Sequence, residues 1–199
     1  MPKKSKLSDI PANARFEYRV WGKHAQARKI LRPLASDKTE EYVEDCYLLV
    51  DDPTWNAKVR DNGLKVKQLI DEDLGFERWV ARREPAPEAT SPFDDLFDEL
   101  DLDQLRASKP KEVAAAIDEL DPELGIRPVF VIKHRVHYRV GGLRAEVTDI
   151  EVAPSGEVLQ TLAIEGDDLD EMVALRKKLG LRKEPNTPVH QAIDAEIDT

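Results

Sequence analysis

The stretch from Val129 to Val140, VFVIKHRVHYRV, constrains the fold more than any other part of the chain. Lys133, Arg135, His137 and Arg139 share one parity. Phe130, Ile132, Val136 and Tyr138 share the other, with His134 the exception. Residues two apart project from the same face of a β-strand, whereas a helix repeats every three or four. The stretch therefore reads as a strand with one cationic and one apolar face. For any single strand, an edge strand whose basic face lies in water is the commoner explanation. Recurrence favours another explanation. Lys58 and Arg60 repeat the spacing, as do Lys65 and Lys67, and Arg15 and Arg19 flank Glu17 on one parity of an early run. Several basic-faced strands imply one shared surface lined with cations, which is a site for a polyanion.

Such a surface must be local, because the chain as a whole is acidic. Its 199 residues carry a formal net charge of −10. Non-specific nucleic-acid binding draws on neutralised phosphates and is disfavoured by that charge, so no specific nucleic-acid partner is expected. Cys46 is the only cysteine, which excludes an intramolecular disulfide and a cysteine-built zinc site. No stretch approaches the roughly 20 apolar residues of a membrane span. The start, MPKKSKLSDI, lacks an apolar signal core. A soluble cytoplasmic protein without a membrane partner is expected; the oligomeric state is open.

Residues 1–13 are polar and basic and read as a flexible arm, leaving residues 14–199 as one domain. Strands are expected over Arg15–Trp21, Glu41–Val50, Asn56–Arg60, Gly63–Ile70, Phe76–Arg83, Val129–Val140, Leu143–Val152 and Glu157–Glu165. Asp61-Asn62-Gly63 and Gly141-Gly142 supply hairpin turns. Phe76–Arg83 places Trp79 on one face and Arg78 and Arg82 on the other. Helices are expected over Lys23–Leu34, Pro92–Arg106, Lys111–Leu120 and Leu169–Leu179, the last stopped by Gly180. Pro92–Arg106 is acidic, and its charges suit either a solvated face or a negative flap near a cationic cavity. The tail beyond is a short helix at best. His24 and His190 read as surface residues, Cys46 as a small buried hydrophobe, and the three tryptophans as core or rim.

About eight antiparallel strands joined mainly by hairpins can close into a barrel whose residues alternate in and out. The expected fold is α+β: an antiparallel eight-stranded β-barrel with helices packed outside. A basic parity facing inward needs counter-charges, since buried cations require partners. Glu17, Glu146 and Glu165 lie at matching spacings. Cations with a few acids suit a phosphate chain together with a hard divalent metal.

The ordered motifs of this chain resemble the CYTH domain family, the triphosphate tunnel metalloenzymes. KVRDNGLKVK supplies Lys58 and Arg60 at an RxR strand and Lys65 and Lys67 at a lysine strand. KHR supplies Lys133 and Arg135, and AEVTD supplies Glu146 and Asp149. LAIEGDDLDEMVALRKKLGL matches the family's ending, where ExEG precedes a helix that closes with Leu-Gly-Leu. The resemblance implies a cationic tunnel that binds a triphosphate, nucleotide or polyphosphate ligand. Arg19, Lys58, Arg60, Lys65, Lys67, Arg78, Lys133 and Arg135 would bind it. Glu17 and Glu165 would be catalytic, and Glu17, Glu146, Asp149 and Glu165 would hold Mg2+ or Mn2+ for hydrolysis.

Two positions depart from the family pattern. Arg15 stands where the first acid of ExExK belongs, and Arg19 replaces its lysine. Ala163 replaces the first acid of ExE. Losing two oxygen donors weakens a small metal site and leaves anion binding largely intact. A metal-dependent triphosphatase and a binding module that has lost catalysis both fit these residues. Arg60 and Arg135 are each the second cation of an i, i+2 pair, so both are expected within reach of one anion. Removing either should weaken polyphosphate binding and, by relieving repulsion in an empty tunnel, leave stability unchanged or higher.

Overall fold

The computed structural model describes residues 11–60, 63–82, 92–93, 96, 109–118 and 125–197. Eight strands are present: β1 (Arg15–Trp21), β2 (Asp37–Leu49), β3 (Trp55–Arg60), β4 (Gly63–Asp73), β5 (Phe76–Arg82), β6 (Arg127–Val140), β7 (Leu143–Val152) and β8 (Glu157–Gly166). They form a closed antiparallel barrel in the order β1-β5-β4-β3-β2-β6-β7-β8. Four helices are described: α1 (Ala25–Leu34), α2 (Pro110–Asp118), α3 (Leu169–Lys178) and α4 (Val189–Ile197). The α+β barrel expected from the alternation is the observed architecture.

The turn chemistry explains the local pairings. Gly141 adopts φ 60°, a left-handed conformation costly for other residues, and closes β6 onto β7 at the Val140–Leu143 pair. Gly63 pairs with Arg60, so β3 and β4 form a hairpin as expected, with Gly63 itself the first residue of β4. In α3 the Asp168 carboxylate caps the start, accepting from the Glu171 backbone N–H at 3.0 Å, and Gly180 at φ 76° follows the end. The strands are longer than the sequence reading allowed. β2 begins at Asp37 and β6 at Arg127 because the two pair along their whole length, and β4 runs to Asp73 against β5. The expected helix over Pro92–Arg106 lies almost entirely outside the described residues.

Most of the apolar core lies outside the barrel wall. Phe16, Tyr18, Val20, Leu162 and Ile164 point outward and pack with Leu31 of α1 and with Met172 and Leu175 of α3. Cys46, Leu48, Ala57, Val59 and Val66 form a second outer cluster with Val113 and Ile117 of α2. A third cluster comes from inward-facing positions at one end of the barrel. There Tyr47, Leu49, Val129, Val131, Ile150 and Val152 surround Val189 and Ile193 of α4. The tail therefore forms a helix that closes the barrel end. His190, expected at the surface, is 6% exposed. It bonds through Nε2 with the Pro53 carbonyl at 3.1 Å and meets the Trp79 ring edge-on. Its neighbours Val189 and Ile193 draw it inward.

Candidate anion site in the barrel

With apolar positions facing the helices, the opposite parity of each strand faces the interior. It delivers Glu17 and Arg19 from β1, Lys58 and Arg60 from β3, and Lys65 and Lys67 from β4. Arg135 comes from β6, Arg144 and Glu146 from β7, and Glu165 from β8. These residues line a cavity of about 210 Å³ whose floor includes Pro188 and Val189 at the start of α4. The lining holds seven cationic side chains against four carboxyls, so an anion can be held there although the whole chain is acidic. A wider cavity of about 370 Å³ continues toward the other end and shares Arg60, Arg135 and Arg144 with the first. Arg60 and Arg135 thus face one continuous passage.

The deepest charges are organised by a residue that the sequence reading missed. Asp45 of β2 has 0% exposure. Its carboxylate accepts from Arg60 Nε at 2.5 Å and Nη2 at 2.6 Å, and it pairs with Lys133 Nζ at 2.9 Å and Lys58 Nζ at 3.4 Å. Burial alone would raise the Asp45 carboxyl, but Lys58, Lys133 and Arg60 together hold it well below the usual carboxylate range. One carboxylate cannot compensate three buried cations. Burial, with the adjoining cations, accordingly pushes Lys58 well down, and burial brings Lys133 to about 8. Lys133 also donates to the Tyr47 hydroxyl at 2.5 Å. Each of these cations is therefore tied to Asp45, and Arg60→Ala would break a buried ion pair. Its effect on stability is a balance between that lost bond and the relieved repulsion among Arg60, Lys58 and Lys133, since Asp45 keeps both lysines.

Glu146 anchors the next layer. It accepts from Arg19 Nη2 at 3.1 Å, from the Thr148 hydroxyl at 2.7 Å, and from both Nε and Nη2 of Arg135. Burial opposes its ionisation, yet Arg19 and Arg135 hold it well below the usual range. Arg135 reaches Glu41 as well, at 2.7 Å, and His137 bonds with the same carboxylate at 2.9 Å. His137 thus faces inward, on the parity opposite His134.

Toward the open end a row of carboxyls crosses the wall. Glu17 pairs in register with Glu165 of β8 on one side and with Glu77 of β5 on the other. Glu17 is bonded to Lys67, and Glu165 lies 3.9 Å from Arg144. Glu77 accepts from the Trp79 indole N–H at 3.1 Å. Its carboxyl is nevertheless raised to about 7, mainly by burial and further by the charges of Glu72 and Glu17. The folded state thus keeps this proton to higher pH than the unfolded chain, whose value is 4.5. Stability is lost between pH 4.5 and about 7 and stays lower above. Glu77→Gln should therefore match the natural protein near pH 4 and gain on it up to about pH 7. At pH 8 the gain should be about 1–2 kcal/mol, below the roughly 3 that the full shift converts to, because the group is partly solvated. Melting curves across this range measure it; a gain independent of pH would refute the assignment.

Two expected site residues lie outside the barrel. Arg78 has the parity opposite Trp79; since Trp79 faces the cavity, Arg78 points out and stacks over the Phe16 ring at 4.0 Å. Asp149 is an odd number of residues from Glu146, so one strand cannot aim both inward. It accepts instead from Gln160 Nε2 at 2.9 Å on the outer face. The acids that remain inside do not fit a resident carboxylate-built metal site. Glu146 is engaged by Arg19 and Arg135, and Glu17 is bonded to Lys67. Among the described residues no group of three or more His, Cys, Asp or Glu side chains is placed to hold a metal.

The fold and the site together define a closed antiparallel barrel with a cation-lined interior. The same fold is found in solved structures of other proteins. A Pyrococcus horikoshii protein superposes with a TM-score of 0.51 at 17% identity, over 90% of this chain and 98% of its own. A conserved hypothetical protein of Pyrococcus furiosus gives 0.50 at 20% identity, over 87% and 95%. A candidate adenylate cyclase of Bacillus halodurans gives 0.53 at 9% identity, over 90% and 98%. At these identities the likeness is one of fold. No protein-family model matches the sequence, and no curated protein matches it. No helix among the described residues is long and apolar enough to cross a membrane.

Proposed function

We propose that the barrel binds a triphosphate- or polyphosphate-bearing anion in its interior. The observation that carries this reading is the excess of cations in one cavity, seven against four carboxyls, drawn from strands far apart in the sequence. Arginine and lysine at fixed positions meet successive phosphate oxygens through charge-assisted bonds. Arg19, Arg135, Lys65 and Lys67 border the open volume, and the group tied to Asp45 sets the positive potential behind them. Binding proceeds by exchange: phosphate oxygens take the place of Glu146 or Glu17 on the arginines and lysines that now hold them.

Hydrolysis of the bound anion is the second reading. The observation in its favour is that Glu17 and Glu165 are register partners facing the cavity. Since the acids present do not assemble a resident metal site, Mg2+ or Mn2+ would arrive with the anion. Calorimetric titration with tripolyphosphate at low ionic strength tests the binding reading. Affinity is expected to fall steeply as salt is raised. Absence of binding at low salt overturns it. A phosphate-release screen of tripolyphosphate, ATP and thiamine triphosphate with each metal separates hydrolysis from binding alone. The cyclase designation of the Bacillus halodurans protein is a reason to keep ATP in that screen.

A further inference from the structure

The passage is closed at one end. Val189 and Ile193 of α4 fill the space between Tyr47, Val129, Val131 and Ile150, so an anion enters and leaves by the other end. There Arg139 of β6 and Arg144 of β7 are register partners, two like charges directly opposite each other. That pairing is ordinarily destabilising. Both line the wider cavity. The cross-strand acids on their other sides, Asp37 opposite Arg139 and Glu165 opposite Arg144, offset it only in part. Glu41 is taken by Arg135 and His137, and the Asp37 carboxylate accepts from the Lys38 backbone N–H at 2.8 Å. Among the described residues no carboxylate forms an ion pair with Arg139, and that of Glu165 approaches Arg144 only to 3.9 Å. The deep cations thus hold carboxylates in close contact, whereas those at the mouth face carboxylates across the ladder without a close bond.

We propose that Arg139 and Arg144 form a second anion subsite at the mouth, and that it holds the phosphates beyond the third of a linear polyphosphate whose terminal phosphates occupy the interior. The proposal rests on the binding reading above and names the ligand class: an inorganic chain longer than three phosphates. A nucleic-acid strand fits the mouth less well, because the aromatic ring there, Tyr138, is buried in the outer core and offers no face to a base.

Calorimetric titration with tripolyphosphate and with longer linear polyphosphates of defined length tests the proposal, in the natural protein and in Arg139→Gln. Arg139 lines only the outer cavity. In the natural protein, affinity should rise about tenfold or more once the chain exceeds three phosphates, the worth of one charge-assisted contact. Arg139→Gln should lose most of that increment, keep its affinity for tripolyphosphate within about twofold, and melt with the natural protein. Equal affinity for short and long chains, or an unchanged increment in the variant, overturns the proposal while tripolyphosphate binding still stands. Failure of tripolyphosphate to bind at all overturns the underlying reading, and the subsite with it. A 5′-triphosphorylated oligonucleotide that gains the full increment would overturn the assignment to inorganic chains.

Discussion

Asp45→Asn is expected to destabilise the fold by about 3–5 kcal/mol, a drop on the order of 10 °C in melting temperature for a chain of this size. The substitution preserves shape and removes charge. It leaves Arg60, Lys58 and Lys133 in the barrel wall without their shared counter-ion, and Lys133 is only 3% exposed. A buried cation that has lost its partner keeps the full cost of its desolvation. Ordinary domain stabilities are about 5–15 kcal/mol, so the variant should sit near the edge of folding. Thermal and urea melts measure the loss. A variant as stable as the natural protein would show that these cations hold each other apart without help from Asp45, and the description of the interior given above would be wrong.

Arg135→Ala is expected to weaken tripolyphosphate binding by about one to two orders of magnitude, following the roughly 1.5–3 kcal/mol typical of a hydrogen bond to a charged group. Arg135 is the better probe because it borders both cavities and its loss strands no carboxylate. Glu146 keeps Arg19 and Thr148, and Glu41 keeps His137. The fold should therefore survive well enough for calorimetry, which Arg60→Ala does not guarantee. Unchanged affinity would place the anion away from Arg135 and reduce the ladder on β6 to a set of internal ion pairs.

The alternation of charge along β6 was enough to orient the barrel wall. Once Lys133, Arg135 and His137 share a face, the partner strands must present Lys58 and Arg60, and Lys65 and Lys67, to the same interior. Lys58, Arg60, Lys65 and Lys67 line one cavity together with Arg135. Asp45 escaped notice because β2 lacks a clean pattern. Its inward residues include Val43, Tyr47 and Leu49, its outward ones Glu44, Cys46 and Leu48, so neither face is a charge ladder. The usable signal was the need of a cation-rich interior for buried acids, applied to every strand and not only to those with basic spacing. Arg78 and Asp149 were misplaced for a simpler reason. Each shares a strand with a residue of opposite parity that faces inward, Trp79 in one case and Glu146 in the other. The closing role of α4 was not legible, because its short apolar face acquires meaning only against the apolar ring at the barrel end.

The closure of β1 onto β8 has a consequence for assembly. The hairpins β2–β3, β3–β4, β4–β5, β6–β7 and β7–β8 can form from neighbouring segments. The β1–β5, β2–β6 and β1–β8 seams cannot, and the Tyr18 hydroxyl donates to the Leu181 carbonyl across 163 residues of chain. Such contacts carry a large loop-closure entropy and form slowly. The salt bridge between Arg19 of β1 and Glu146 of β7 exists only once β1 has joined β8. Neither half of the chain contains a working fragment of the interior. An anion that recognises only the shut barrel would slow its opening and leave the rate of its formation unaltered.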